Sequence, residues 1–276
     1  MHYVIERRRG NFPAHSLGDF LCFVFLMPIF TAGPIERFEH FLASREDAFH
    51  IDQLVEGGLR IAAGIVKKFF VGVLVAEAIQ RITGGDVKTL IAHLHHTSPQ
   101  VVWAYLFLTL LYIYLDFSAY SDVAIGACRL FGLRIMENFN LPFIATDLRK
   151  YWLRWHMTLA LWCRTYIYMA IIGITRNPYW AVIAAFVVMG VWHAGWPAQW
   201  IFWGAWHGVG CVVVLAWSRY AMRRKIRLLE HPVGVVAGWA LTMGYVALGG
   251  AFTALYGRAP LVDSFRLIGR AFALPV

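Results

Sequence analysis

Apolar residues in this chain come in long blocks, separated by short clusters of Gly, Pro and charge. A helix needs about 20 apolar residues to cross a bilayer, so block length separates full spans from half-spans and interfacial helices. The clearest full span is Gln100–Tyr120. Leu54–Ile82 and Val233–Tyr256 predict two more, and Ala181–Trp192 followed by Ile201–Trp217 predicts a hairpin-like pair. Leu17–Phe30 is too short for a comfortable span and stops at Gly33-Pro34, which predicts a short or re-entrant segment. Ile35–Gln53 is polar and mixed, including Glu46 and Asp47, and reads as a solvated loop or surface helix. Thr83-Gly84-Gly85-Asp86 and Thr175-Arg176-Asn177-Pro178 are turn signals. Met222–Glu230 is a basic connection that includes Arg227, and the tail after Gly257 is short and amphipathic. The pattern predicts an all-α polytopic membrane protein with roughly six to eight membrane segments, some broken or re-entrant, around a tunnel or funnel. Residues 1–276 read as one membrane-embedded domain.

Polar residues inside the apolar blocks change this picture most. Lys67 and Lys68 interrupt Leu54–Ile82 and must snorkel, face a cavity or mark a break. Asp116 falls inside an apolar run, and Asp122 follows Ser118, Tyr120 and Ser121. Asp122 reads either as a functional carboxylate or as a cap for a helix starting near Val123. Arg134–Trp155 is amphipathic, with Pro142 ahead of a helix capped by Thr146 or Asp147. That helix is expected to carry Arg149, Lys150, Arg154, His156 and Arg164 among Tyr151, Trp152, Trp155 and Trp162. An interfacial helix explains the Arg and Trp content; His156 on its apolar side is harder to explain so.

Composition agrees with the pattern: 59% of the residues are hydrophobic and only 15% charged, where a soluble domain carries about a quarter charged. The net charge of +9 sits in short clusters, Arg7-Arg8-Arg9, Arg149-Lys150 with Arg154, and Arg223-Arg224-Lys225. Beside apolar runs these read as cytoplasmic anchors, and no basic face suited to nucleic acid is formed. Arg7-Arg8-Arg9 before Leu17–Phe30 imitates a signal peptide, but no small-x-small cleavage site follows. Cys22, Cys128, Cys163 and Cys211 form no CxxC pair and read as packing residues. His93, His95 and His96 cluster before Thr97-Ser98-Pro99, yet no acidic or cysteine partner stands at ligand spacing, so an exposed loop is expected and no metal.

The chemistry concentrates in Val188–Gly210, where His193 and His207 stand among Trp192, Trp196, Trp200, Trp203 and Trp206. A titratable group in hydrocarbon is costly, so an intramembrane histidine is a functional-site hypothesis by default. Gly195 and Pro197 predict that one helix ends near His193 and a second starts near Pro197. His193 then lies at a helix terminus, where broken membrane helices build sites. A neutral imidazole in a dry site can take a proton from a hydroxyl and make it a nucleophile. Two rival readings are a non-catalytic membrane scaffold and a haem protein ligated among His156, His193 and His207.

Four segments resemble the membrane-bound O-acyltransferase family, in its bacterial branch that modifies alginate, peptidoglycan or teichoic acid. They are MPIFTAGPIERFEHF at 27–41, LDFSAYSDVAIG at 115–126, Glu137–Tyr168 with its ENFNLPF and WHMTLALW strings, and GVWHAGWPAQWIFWGAWHG at 190–208. The resemblance implies transfer of an acyl group, usually acetyl, from a cytoplasmic thioester such as acetyl-CoA to a hydroxyl of an exported polysaccharide or to a periplasmic relay protein. It implies His193 and His156 as catalytic residues. It implies Asp116, Trp155, Arg164, Trp192 and His207 in the tunnel or substrate site, and no bound cofactor. It also implies the bacterial inner membrane as location and a polysaccharide export machinery as partner. The family's glycine after the central histidine is Ala194 here, and its "RDY" aspartate is Thr165. Family members carry further helices ahead of the AGPI segment, so an N-terminally truncated form is expected.

Overall fold

A computed structural model describes residues 1–45, 50–226 and 231–275. Glu46 and Asp47 of the expected surface segment, and Arg227 of the basic connection, lie outside the described residues. Among those described, the fold is all-α, and the only trace of sheet is an isolated bridge between Arg45 and Leu133. Pro99–Leu130, Met157–Thr175, Ala198–Arg224 and Pro232–Ala254 are long and apolar enough to cross a membrane. Leu17–Ile29 and Pro178–Ala194 are shorter apolar helices. This is the composition of a multi-pass membrane protein.

The helices follow the blocks, and local chemistry sets their ends. α1 (His2–Arg8) precedes α2 (Leu17–Val24), which starts in a capping box between Ser16 and Asp19 and gives way to a 3₁₀ turn at Pro28. α3 is Phe38–Ala43. α4 (Ile51–Val66) runs through a π-helical turn at Lys67–Val71 into α5 (Gly72–Thr83). The lysine pair thus marks a π turn within the helix, a device common at functional positions. Asp86 caps α6 (Val87–Ala92). α7 (Pro99–Leu130) is one helix of 32 residues. No new helix starts near Val123, because the Asp122 carboxylate is taken by cations from another helix and is not used as a cap.

α8 (Leu148–Trp152) is capped by Asp147 through Lys150 N–H, and it ends far earlier than its amphipathic pattern predicts. His156 adopts a left-handed backbone with φ of 44°, and α9 (Met157–Cys163) starts just after it. The expected single helix through His156 to Arg164 is therefore two helices with His156 at the joint. α9 continues through a π turn at Arg164–Tyr168 into α10 (Met169–Thr175). Asn177 caps α11 (Pro178–Ala194), with Pro178 in the first turn. α11 ends at Gly195, whose φ of 78° a side chain would disfavour, and Pro197 leads into α12 (Ala198–Arg224). α13 (Pro232–Ala254) and α14 (Leu261–Ala271) complete the chain.

The chain forms two compact units. The first takes 1–73, 114–140 and 156–159, and its core gathers Leu26, Phe38, Phe41, Cys128 and Ile135. The second takes 74–113, 141–155 and 160–276. There α11 and α12 meet backbone to backbone: a Cβ on Gly204 would run into the Phe186 carbonyl, and one on Gly190 into that of Trp200. Small residues permit this close packing where lipid supplies no hydrophobic drive between helices. α12 is tied to α13 by a reciprocal pair: Trp206 Nε1 donates to the Tyr245 carbonyl at 3.1 Å, and the Tyr245 hydroxyl donates to the Trp206 carbonyl.

Candidate active site

In the first unit, the two lysines of the π turn meet two carboxylates of α7. Lys68 pairs with Asp116, and Lys67 Nζ donates to Asp122 Oδ2 at 2.5 Å. Arg60 Nε donates to Asp122 Oδ1 at 2.7 Å, and its two terminal nitrogens grip Glu137 at 2.9 and 2.6 Å. A charge placed in an apolar segment is tolerated when it is paired, and each lysine here has its carboxylate. Asp116, read from sequence as a tunnel residue, is thus the ion-pair partner of Lys68.

His156, in the same unit, is 5% exposed. Its Nδ1 stands 2.9 Å from Asn138 Oδ1, and its ring meets Phe117 edge-on at 4.7 Å. Asn138 is wholly buried and holds the whole joint. Its side-chain oxygen also accepts the Thr158 hydroxyl at 2.9 Å, and its backbone carbonyl accepts Met157 N–H at 2.9 Å. Its Nδ2 donates to Ser121 Oγ at 3.2 Å, and Thr158 Oγ1 in turn accepts Ile35 N–H at 3.0 Å. Ile35, Ser121, Asn138 and His156–Thr158 come from four separate stretches of sequence.

In the second unit, His193 occupies the last turn of α11, at the predicted break. Its ring stacks on Trp200 at 4.7 Å and meets Trp203 edge-on at 5.7 Å and Trp192 at 5.1 Å. His207, on α12, shares Trp203 with it at 5.0 Å and also meets Trp152 at 5.1 Å. His207 is 2% exposed, and its Nδ1 has no hydrogen-bond partner among the described residues; the indole nitrogens of Trp152 and Trp200 are buried in the same condition. Indoles bring large rigid apolar area, and their edges and faces suit an imidazole.

The remaining expected residues divide between the interior and the surface. Trp155 is 9% exposed and stacks on Tyr151 at 5.6 Å. Arg164 is exposed at the start of its π turn, and Trp192 is 54% exposed. His93, His95 and His96 stand exposed around a 3₁₀ turn, with His93 Nδ1 3.0 Å from the Thr89 carbonyl. Among the described residues no group of three or more His, Cys, Asp or Glu could hold a metal ion. Sequence reading missed Asn138, Thr158, Arg60 and Glu137. A buried asparagine between Glu137 and Phe139 was the available signal for the first.

Comparison with known proteins agrees with the four motif segments. Residues 4–233 match the family described as MBOAT, membrane-bound O-acyltransferase family. The chain is 34% identical over 253 residues to a probable alginate O-acetylase AlgI of Pseudomonas aeruginosa, covering 87% of this chain and 46% of that protein. It is 32% identical over 231 residues to a teichoic acid D-alanyltransferase of Streptococcus thermophilus, covering 78% and 54%. It is 28% identical over 248 residues to a peptidoglycan O-acetyltransferase of Helicobacter pylori, covering 85% and 43%. The chain thus spans about half the length of the curated relatives it matches. With a family match over most of its length and relatives above 30% identity, the chain belongs to the membrane-bound O-acyltransferase family.

Proposed function

We propose that this chain is an O-acyltransferase of the bacterial inner membrane. It moves an acetyl group from a cytoplasmic thioester donor, acetyl-CoA or an equivalent, to a hydroxyl of an exported polysaccharide or to a periplasmic relay protein. The observation that carries this reading is His193 at a helix break inside an apolar segment, set against Trp200 and Trp203. The two indoles cover part of that imidazole, which stays partly exposed, and a neutral base works on a hydroxyl where water is kept from it.

His193 takes the proton of the acceptor hydroxyl as its oxygen bonds to the acyl carbon. The carbon–sulfur bond then breaks, and the leaving thiolate recovers the proton. In the second unit, His207, Trp155, Trp192 and Arg164 line the site of His193; in the first unit, His156 serves the donor side and Asp116 is a candidate substrate-site residue. The names of the relatives supply the substrate class: alginate, teichoic acid and peptidoglycan are all acceptors of acyl or acetyl groups in those names.

The test is the ester-linked acetyl content of surface polysaccharide in cells with and without this gene. Loss on deletion, restored by the wild-type gene, supports the reading. Unchanged acetyl content in the deletion strain contradicts it.

A further inference from the structure

Asn138 makes three bonds to three consecutive residues. Its Oδ1 meets His156 Nδ1 and the Thr158 hydroxyl, and its backbone carbonyl accepts Met157 N–H. A residue that only filled space in the core would not need this arrangement. His156 stands in a left-handed conformation, which is strained for a non-glycine residue and persists only where its surroundings over-determine it. The three bonds from Asn138 are that over-determination.

The direction of each bond follows from donor inventory. Ile35 N–H can only donate, so Thr158 Oγ1 accepts there and has its own proton to give. That proton goes to Asn138, so the atom of Asn138 at this corner is the amide oxygen. The opposite amide edge, Nδ2, faces Ser121 Oγ and donates to it. Turning the amide over would bring its N–H₂ against Thr158 and leave the hydroxyl proton without an acceptor. An amide oxygen at this corner requires His156 Nδ1 to donate. With its proton on Nδ1, a neutral imidazole carries its basic lone pair on Nε2.

We infer that Asn138 is the positioning residue of His156: it fixes the imidazole as the Nδ1–H tautomer and presents Nε2 as the proton-accepting nitrogen. The polarity is set two bonds away, by the backbone N–H of Ile35 acting through Thr158. The inference deepens the reading of His156 as a proton-handling group and rests on it for its functional meaning. A histidine metal ligand is oriented in the same way, when one ring nitrogen donates to a fixed acceptor and the other is held for work.

The experiment is ¹⁵N NMR of the full chain in lipid nanodiscs, labelled at the histidine ring nitrogens and assigned with a His156→Gln variant. The expected spectrum has a pyrrole-type Nδ1 and a pyridine-type Nε2 for His156 at neutral pH. The reverse pattern overturns the inference, and the measurement needs neither substrate nor activity. Asn138→Leu is expected to abolish the single-tautomer signal and lower polysaccharide acetylation ten- to a hundred-fold. Asn138→Asp, which keeps the acceptor oxygen, is expected to retain Nδ1–H and recover much of the acetylation. A Leu variant with wild-type spectrum and acetylation overturns the inference. If gene deletion leaves acetylation unchanged, the acyltransferase reading falls while the tautomer result stands on its spectrum.

Discussion

The protein buries His156 and His207 to the same degree by opposite means. His156 is fixed by hydrogen bonds, at a strained joint built around a buried asparagine. His207 is fixed by rings: Trp152 and Trp203 pack on it, and its Nδ1 has no hydrogen-bond partner among the described residues. Hydrogen bonds select one tautomer and one ring orientation; ring packing selects a shape and leaves the protonation pattern open. The polar joint selects a defined lone pair, which the proposed donor-side role of His156 requires. The aromatic one gives the proposed lining at His207 its shape, which a side chain of similar volume would keep.

This contrast is open to attack by substitution. The largest loss of stability is expected from Asn138→Leu, which strips the acceptor from His156 and Thr158 in a buried setting. At about 1–3 kcal/mol for each orphaned polar group, a loss of about 2–5 kcal/mol should appear in chemical denaturation in detergent. Gly249→Ala comes next: its Cβ would lie 2.8 Å from His207 Nε2 and 2.9 Å from Trp206 Cδ1, for an expected loss of about 1–3 kcal/mol by overpacking. Gly250→Ala one residue on, where a Cβ meets nothing within 4 Å, should cost nothing and serves as its control. His207→Leu is expected to hold stability or raise it by about 1 kcal/mol, since it replaces an unsatisfied buried polar ring by an apolar chain of similar volume. A large loss in this variant would break the comparison, because His207 would then be held by more than packing.

The smallest effect lies outside both centres. The Asp86 carboxylate accepts Thr89 N–H at 2.9 Å and the Thr89 hydroxyl at 3.0 Å, and the bond from the Thr89 backbone holds its pKa below the ordinary 3.8. A depressed carboxylate stabilises its cap above the ordinary value and loses that contribution as pH falls through the lowered one. Protection of the Val87–Ala92 amides, taken relative to their intrinsic exchange rate at each pH, should therefore hold at neutral pH and fall only in strong acid, while protection around His156 does not follow it.

Much of the fold was legible because bilayer thickness and helix geometry tie apolar block length to element type. The break at His193 was readable from Gly195 and Pro197, which act through the local backbone. The break at His156 was not: no Gly or Pro stands there, and the cause is Asn138, 18 residues upstream. The same limit hid the role of Asp122. Its neighbours Ser121 and Val123 suggested a cap, but Arg60 and Lys67, more than 50 positions away, decide its state. Residue types can be read for chemistry, whereas their partners are set by packing between distant segments.

His193 is the residue proposed to carry acyl transfer in this chain. The most direct measurement is polysaccharide O-acetyl content in a deletion strain complemented with either the wild-type gene or His193→Ala, at equal protein level in the membrane fraction. Wild type is expected to restore acetylation and His193→Ala to leave it at the deletion level, a loss of about 10²-fold or more. Full acetylation with the alanine variant would contradict the claim and assign this chain the part of a scaffold.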